Sequence, residues 1–261
     1  MLPVTRSDPS SILSAREGPV AELVNPDGAA RICLVCEHAS AFIPSSLDAL
    51  GLAQADRFSH AVWDIGAGPL ARGLADTLDA PLVVSGVSRL VYDCNRPPSA
   101  PDAIPARAER IRIPGNETIT EAERDRRANE IYQPFRNLLS QTLAGFAAPP
   151  TLVTIHSFTP VWHGKRRVVE LGLLHDADAR LANAIHARRH PELATRLNEP
   201  YSAADGVTHT LAEHGVPRGL ANVMIEVRND LLADDAGIAR MTRILSAMIT
   251  EALTSETGEA A

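Results

Sequence analysis

The 261-residue sequence predicts an α/β fold: a three-layer α/β/α domain built on a mostly parallel, mixed sheet. Two observations predict it. Short apolar runs of strand length alternate with longer amphipathic stretches, the pattern of strands joined by helices that cover both faces of a sheet. Polar, ligand-capable residues follow directly after several of those runs, as expected where an open sheet binds its ligand beyond the carboxyl ends of its strands. Composition agrees: 45% hydrophobic and 22% charged residues suit a globular chain, and with aromatics at 4% most of the core must be Leu, Val, Ile and Ala.

The elements follow in order. Residues 1–20, rich in Pro, Ser and charge, read as a peripheral or poorly ordered arm. Residues 21–261 read as a single domain, because no repeat, low-complexity tract or linker divides them. Ile32–Cys36 is an apolar strand, and residues 69–78 form a helix opened by Pro69. Residues 81–85 and 90–92 read as strands or as one irregular pair. Residues 97–116 carry five prolines and read as a long loop, which in a compact domain tends to be functional. Thr120 and Glu123 form a capping box that opens a helix to about residue 143. Strands are predicted at 152–155, 168–174 and 222–226, and helices at 178–188 and 236–253.

The net charge of −7 argues against a nucleic acid partner, which requires a concentrated Lys/Arg surface. No run reaches the roughly 18 apolar residues of a membrane span, and the first residues lack the apolar stretch of a secretory signal. A cytoplasmic protein with a small-molecule partner is expected; nothing predicts an oligomeric state. Cys33, Cys36 and Cys94 do not make a disulfide framework. The first two lie in an apolar strand with no second pair to complete a four-cysteine metal site.

Chemistry gathers at the strand ends. Ile32–Cys36 runs into Glu37 and His38, residues 152–155 into His156 and Ser157, residues 222–225 into Glu226 and Arg228, and residues 90–92 into Asp93, Asn95 and Arg96. Two imidazoles and a carboxylate are the protein part of an open zinc site, and a carboxylate that is not a ligand can take and return a proton. His38 and His156 are the ligand candidates and Glu226 the candidate base. For the third ligand Asp64, just before the Pro69 helix, is preferred to Glu37, which neighbours His38 on an extended segment and so points to the opposite face.

The stretches Cys36–Ser40 with Ile43-Pro44, Trp63–Gly66, Tyr92–Pro97, Ile155–Ser157 and Ile225–Arg228, in this order, resemble the N-formylglutamate amidohydrolase family, over roughly residues 30–250. That family is similar to the zinc carboxypeptidase-like hydrolases, and the resemblance implies a phosphorylase/hydrolase-like fold. It implies Zn2+ on His38, Asp64 and His156, with Glu226 catalytic. It also implies that Asn95 and Arg96 grip a substrate carboxylate, with Ser157 a further substrate contact and Arg89 and Arg228 as candidates for the carboxylates or the developing oxyanion. The implied reaction is hydrolysis of an N-acyl amino acid, N-formyl-L-glutamate to formate and L-glutamate in histidine degradation. Its rivals are another N-acyl amino acid or small peptide-like amide as substrate, and a non-catalytic carboxylate-binding protein. The chain lacks a glutamate three residues after His38, where Ala41 stands, which leaves the third ligand open between Asp64 and Glu37.

Overall fold

The computed structural model describes residues 11–258. Its centre is a seven-stranded sheet made of β1 (Ala21–Val24), β2 (Ile32–Cys36), β3 (Leu82–Ser85), β4 (Thr151–Phe158), β5 (Leu171–Leu174), β6 (Thr195–Leu197) and β7 (Asn222–Arg228). The spatial order is β1-β3-β2-β4-β7-β5-β6. β3, β2, β4 and β7 run parallel; β1 joins one edge antiparallel, and β5 with β6 runs antiparallel to β7 on the other side. The fold is thus the expected α/β class with a mixed, mostly parallel sheet.

The central strands are buried along their whole length, as parallel strands covered on both faces must be. One face carries α1 (Ala67–Leu78), α4 (Arg180–Ala187) and α5 (Asp235–Gly258). Their Leu70, Leu74, Ile185, Leu245 and Ile249 pack on Leu34, Val153 and Ile225. The other face is covered by α2 (Glu121–Arg127) and α3 (Gln133–Ala144) with the prolyl loop, where Phe135, Leu139, Ile104 and Ile113 pack on Cys33, Val35 and Leu152. The three cysteines are free and buried.

Several expectations need correction. Residues 1–10 of the arm lie outside the described residues, but 11–20 are anchored: Ile12 is fully buried and its N–H donates to Glu130 Oε2 at 2.7 Å. Residues 90–92 are turns, not a strand; their apolar character reflects burial beside Ile104, Ile113 and Phe135 rather than pairing. The predicted 120–143 helix begins as expected, with Thr120 Oγ1 accepting from the Glu123 N–H at 3.2 Å. It is interrupted by a wide π-turn at Ala128–Tyr132, just before Pro134, which has no N–H to continue the regular ladder. The predicted 168–174 strand shortens to Leu171–Leu174. The edge strands β1 and β6 were too short and too polar to be legible in the sequence.

Candidate metal centre and active site

The parallel strands put the predicted residues in one place. In the β4–β7 register Glu226 lies beside His156, and Glu37 and His38 follow immediately after the end of β2, the other neighbour of β4. Asp64 arrives from a different direction. Its N–H donates to the His38 carbonyl at 3.0 Å, and two residues later Gly66 turns the chain into α1 with φ +81°. Glycine is required there both for the left-handed backbone and because a Cβ would collide with Leu232.

The result is a cluster in which one ligand atom each from His38, Asp64 and His156 lie within 4.8 Å of one another. Asp64 Oδ2 stands 3.3 Å from His38 Nδ1 and 2.9 Å from His156 Nδ1. The two rings meet edge-on, centroids 4.9 Å apart. The far nitrogens face other carboxylates: His38 Nε2 is 2.7 Å from Asp93 Oδ1, and His156 Nε2 is 3.1 Å from Glu37 Oε2 though out of line for a hydrogen bond. Such a carboxylate behind an imidazole fixes its tautomer and aims the other nitrogen. Of the two third-ligand candidates, the geometry therefore favours Asp64, with Glu37 on the opposite side of His156. Two inward-facing imidazole nitrogens around one carboxylate oxygen make a donor set that suits zinc.

Electrostatics follow from burial. Burial opposes protonation of His156, yet Glu37 and Asp64 outweigh it and hold its pKa well above the ordinary value. Burial likewise opposes protonation of His38, and Asp93 and Asp64 overcome it. Asp64 and Asp93 stay ionised: burial works against the charge, but His38 and Arg89 among their neighbours pull both below the carboxylate range. Glu226 differs. Burial, with Asp64 adding and His156 opposing, pushes its pKa up to about 7, and its Oε2 is buried without a hydrogen-bond partner among the described residues.

These groups form one end of a cavity of about 380 Å³. Its lining also includes Trp162, Phe158 and Tyr201, together with Pro105, Ala108, Glu109 and Asp102 of the prolyl loop. The remaining predicted residues divide. Arg89 lines the cavity and bridges the site, donating Nη1 to Asp64 at 3.1 Å and Nη2 to Asp93 at 3.0 Å. Ser157 lines it too, but its hydroxyl donates to the Ile65 carbonyl and its N–H to Asp64, so it braces the Asp64 carboxylate. Arg96 is at the wall, paired with Asp102 at 2.8 Å. Asn95 lines the cavity with its amide engaged by the Val207 carbonyl and the Thr210 N–H. Arg228 is not brought to the cavity: it is ion-paired to Glu170 and Asp230. Its place on β7 explains this, since the chain turns after Arg228 and the side chain reaches across to Glu170, just before β5, instead of into the crevice. The sequence reading missed Asp93 and Glu37 as partners of the histidines, and Trp162 and Tyr201 as lining; single carboxylates and aromatics carry no spacing signal.

Comparison with known proteins now decides the family. The family model described as N-formylglutamate amidohydrolase matches residues 30–233. The chain belongs to the N-formylglutamate amidohydrolase family. The crystal structure of gene product Atu2144 from Agrobacterium tumefaciens superposes with a TM-score of 0.92 at 45% identity, covering 94% of this chain and 99% of that one. The N-formylglutamate amidohydrolase from Ralstonia eutropha JMP134 shares the fold at a TM-score of 0.63 and 17% identity, over 91% of this chain and 98% of that one. No curated protein matches the chain significantly. Among the described residues no helix is long and apolar enough to cross a membrane.

Proposed function

We propose that this family member is a zinc-dependent amidohydrolase acting on N-acyl amino acids, with N-formyl-L-glutamate the first substrate to test. One observation carries the reading: His38, Asp64 and His156 converge in a cavity that also holds Glu226, a buried carboxylate with an unpartnered oxygen and a pKa near 7. A ligand-binding protein would have no use for such a base.

His38 Nδ1, His156 Nδ1 and Asp64 Oδ2 would hold the zinc, which supplies Lewis acidity toward the scissile carbonyl and lowers the pKa of water. Glu226 takes the proton of the attacking water at its free oxygen and returns it to the departing amine nitrogen. A base with a pKa near the working pH is suited to both transfers. Arg89, held by Asp64 and Asp93 at the cavity wall, presents positive charge where the carbonyl oxygen becomes anionic. Asp93 and Glu37 keep the imidazoles in register throughout.

The test joins metal content to one variant. Purified protein is expected to carry one zinc per chain by mass spectrometry, and Glu226→Gln to keep that zinc while losing at least about 100-fold in kcat on N-formyl-L-glutamate. A zinc-loaded Glu226→Gln enzyme that turns over at the wild-type rate would remove Glu226 from the mechanism.

A further inference from the structure

Arg89 and Arg96 line the cavity, Arg167 and Arg228 do not, and the four are unequally engaged. Arg89 is held by two carboxylates, Arg96 by Asp102 and two carbonyls, and Arg228 by Glu170 and Asp230. Arg167 has no carboxylate partner among the described residues. It follows the Val161–Arg166 hairpin, and its guanidinium carbon lies 4.8 Å from the ring centroid of Tyr201, 5.1 Å from Trp162 and 5.3 Å from Phe158. All three rings line the cavity. In a chain with only 4% aromatic residues, three of them converging on one cation makes this a built feature.

The hydrogen bonds indicate what the cation lacks. Nη1 donates to the Tyr201 hydroxyl at 3.0 Å and toward the Thr159 carbonyl at 3.4 Å. The Nε and Nη2 edge, the fork that fits a carboxylate, has no partner among the described residues. Ring faces stabilise a guanidinium and exclude water from it, yet accept none of its in-plane N–H groups. The Tyr201 hydroxyl, which accepts from Arg167, keeps its own proton to donate into the cavity. Burial, with Glu226 adding, raises the phenol's pKa, so it stays an O–H donor.

We propose that Arg167 and Tyr201 form the subsite that takes a carboxylate of the substrate's amino-acid part, which makes this pocket selective for N-acyl amino acids over neutral amides. This rests on the amidohydrolase reading above. A carboxylate reaching past these lining rings meets a cation with no carboxylate partner among the described residues, beside aromatic walls that strengthen the pairing by excluding water. Arg89 is already shared by Asp64 and Asp93, and Arg96 is paired with Asp102, so each gains less from a substrate carboxylate than Arg167 would.

The experiment compares N-formyl-L-glutamate with its uncharged diamide on zinc-loaded protein. Wild type is expected to prefer the diacid by roughly 10- to 100-fold in kcat/KM, the range for hydrogen bonds to a charged group. Arg167→Met should remove that preference through KM, with kcat changed less than about threefold, and should not lower diamide turnover further. Arg167→Lys should restore part of it. Tyr201→Phe, which keeps the ring cluster, should raise KM for the diacid several-fold. The proposal is overturned if Arg167→Met leaves the diacid KM unchanged, or slows diamide and diacid equally, as a merely structural arginine would. If the zinc-loaded wild type hydrolyses neither compound, the amidohydrolase reading fails by itself. Calorimetric titration with L-glutamate then decides the subsite: binding by wild type that weakens by the same factor in Arg167→Met supports it, and equal or absent binding overturns it.

Discussion

The two ends of the cavity are built from opposite materials. At the inner end His38, His156 and Glu226 sit on or next to central strands and Asp64 at the turn into α1, and all four are at most 4% exposed. At the rim, the walls are a short hairpin, the prolyl loop and the segment around Tyr201, and the contacts are aromatic faces and part-buried ion pairs such as His60 with Glu109 at 3.0 Å. The inner end is over-determined by carboxylate–imidazole contacts, while next to the lining rings Arg167 has no carboxylate partner among the described residues. On the proposed reading the difference is a division of labour: the groups that would break the bond are fixed mainly at the sheet, and selectivity is left to loops that can vary without disturbing it.

The comparison can be broken first at Glu226. Its folded pKa of about 7 lies above the ordinary 4.5, so its contribution to stability is complete below pH 4.5 and is lost as pH rises through 7. In zinc-free protein, Glu226→Gln, which mimics the protonated form, is expected to exceed wild type in stability by about 3 kcal/mol at pH 8.5. The two should be nearly equal at pH 4.5. Urea unfolding at both pH values checks this, and a destabilised variant at pH 8.5 would mean the carboxylate is not held at a cost.

Asp93 tests whether the inner end is as tightly specified as its contacts suggest. Removing the charge behind His38 with Asp93→Asn should weaken zinc binding by roughly 10- to 100-fold, read by competition with a chelating dye. Unchanged affinity would mean that His38 is aimed by the backbone alone.

The smallest effect is expected at Arg228, which the sequence placed with the substrate contacts and the structure pairs with Glu170 and Asp230. Arg228→Met should lower stability by about 1–3 kcal/mol while leaving KM within about twofold. A tenfold rise in KM would bring Arg228 back to the substrate and blur the line between structural and functional arginines.

What was legible follows the same division. His38, His156 and Glu226 stand beside or within apolar runs, and a parallel sheet must bring such strand ends together, so their juxtaposition followed from pattern and topology rules alone. Residues 90–92 misled because a buried apolar turn and a buried strand share one composition. Arg228 misled because a strand-end arginine gives no sign of which acid it will meet. Arg167 stood in the run Lys165-Arg166-Arg167, which reads as a solvated face, and its aromatic neighbours come from positions 158, 162 and 201.

The sequence by itself determined the α/β class, the strands that carry the site and the residues that can do the chemistry, because periodicity and apolar runs are local properties of the chain. Only the tertiary structure decided which carboxylate faces both histidines, which ones stand behind them, and which arginine is left without an acid. Those outcomes depend on side chains that meet across dozens of residues, Asp64 with His156 and Arg167 with Tyr201 among them. No local signal encodes such a meeting, because it is the packing of the helices and loops on the sheet that sets each distance.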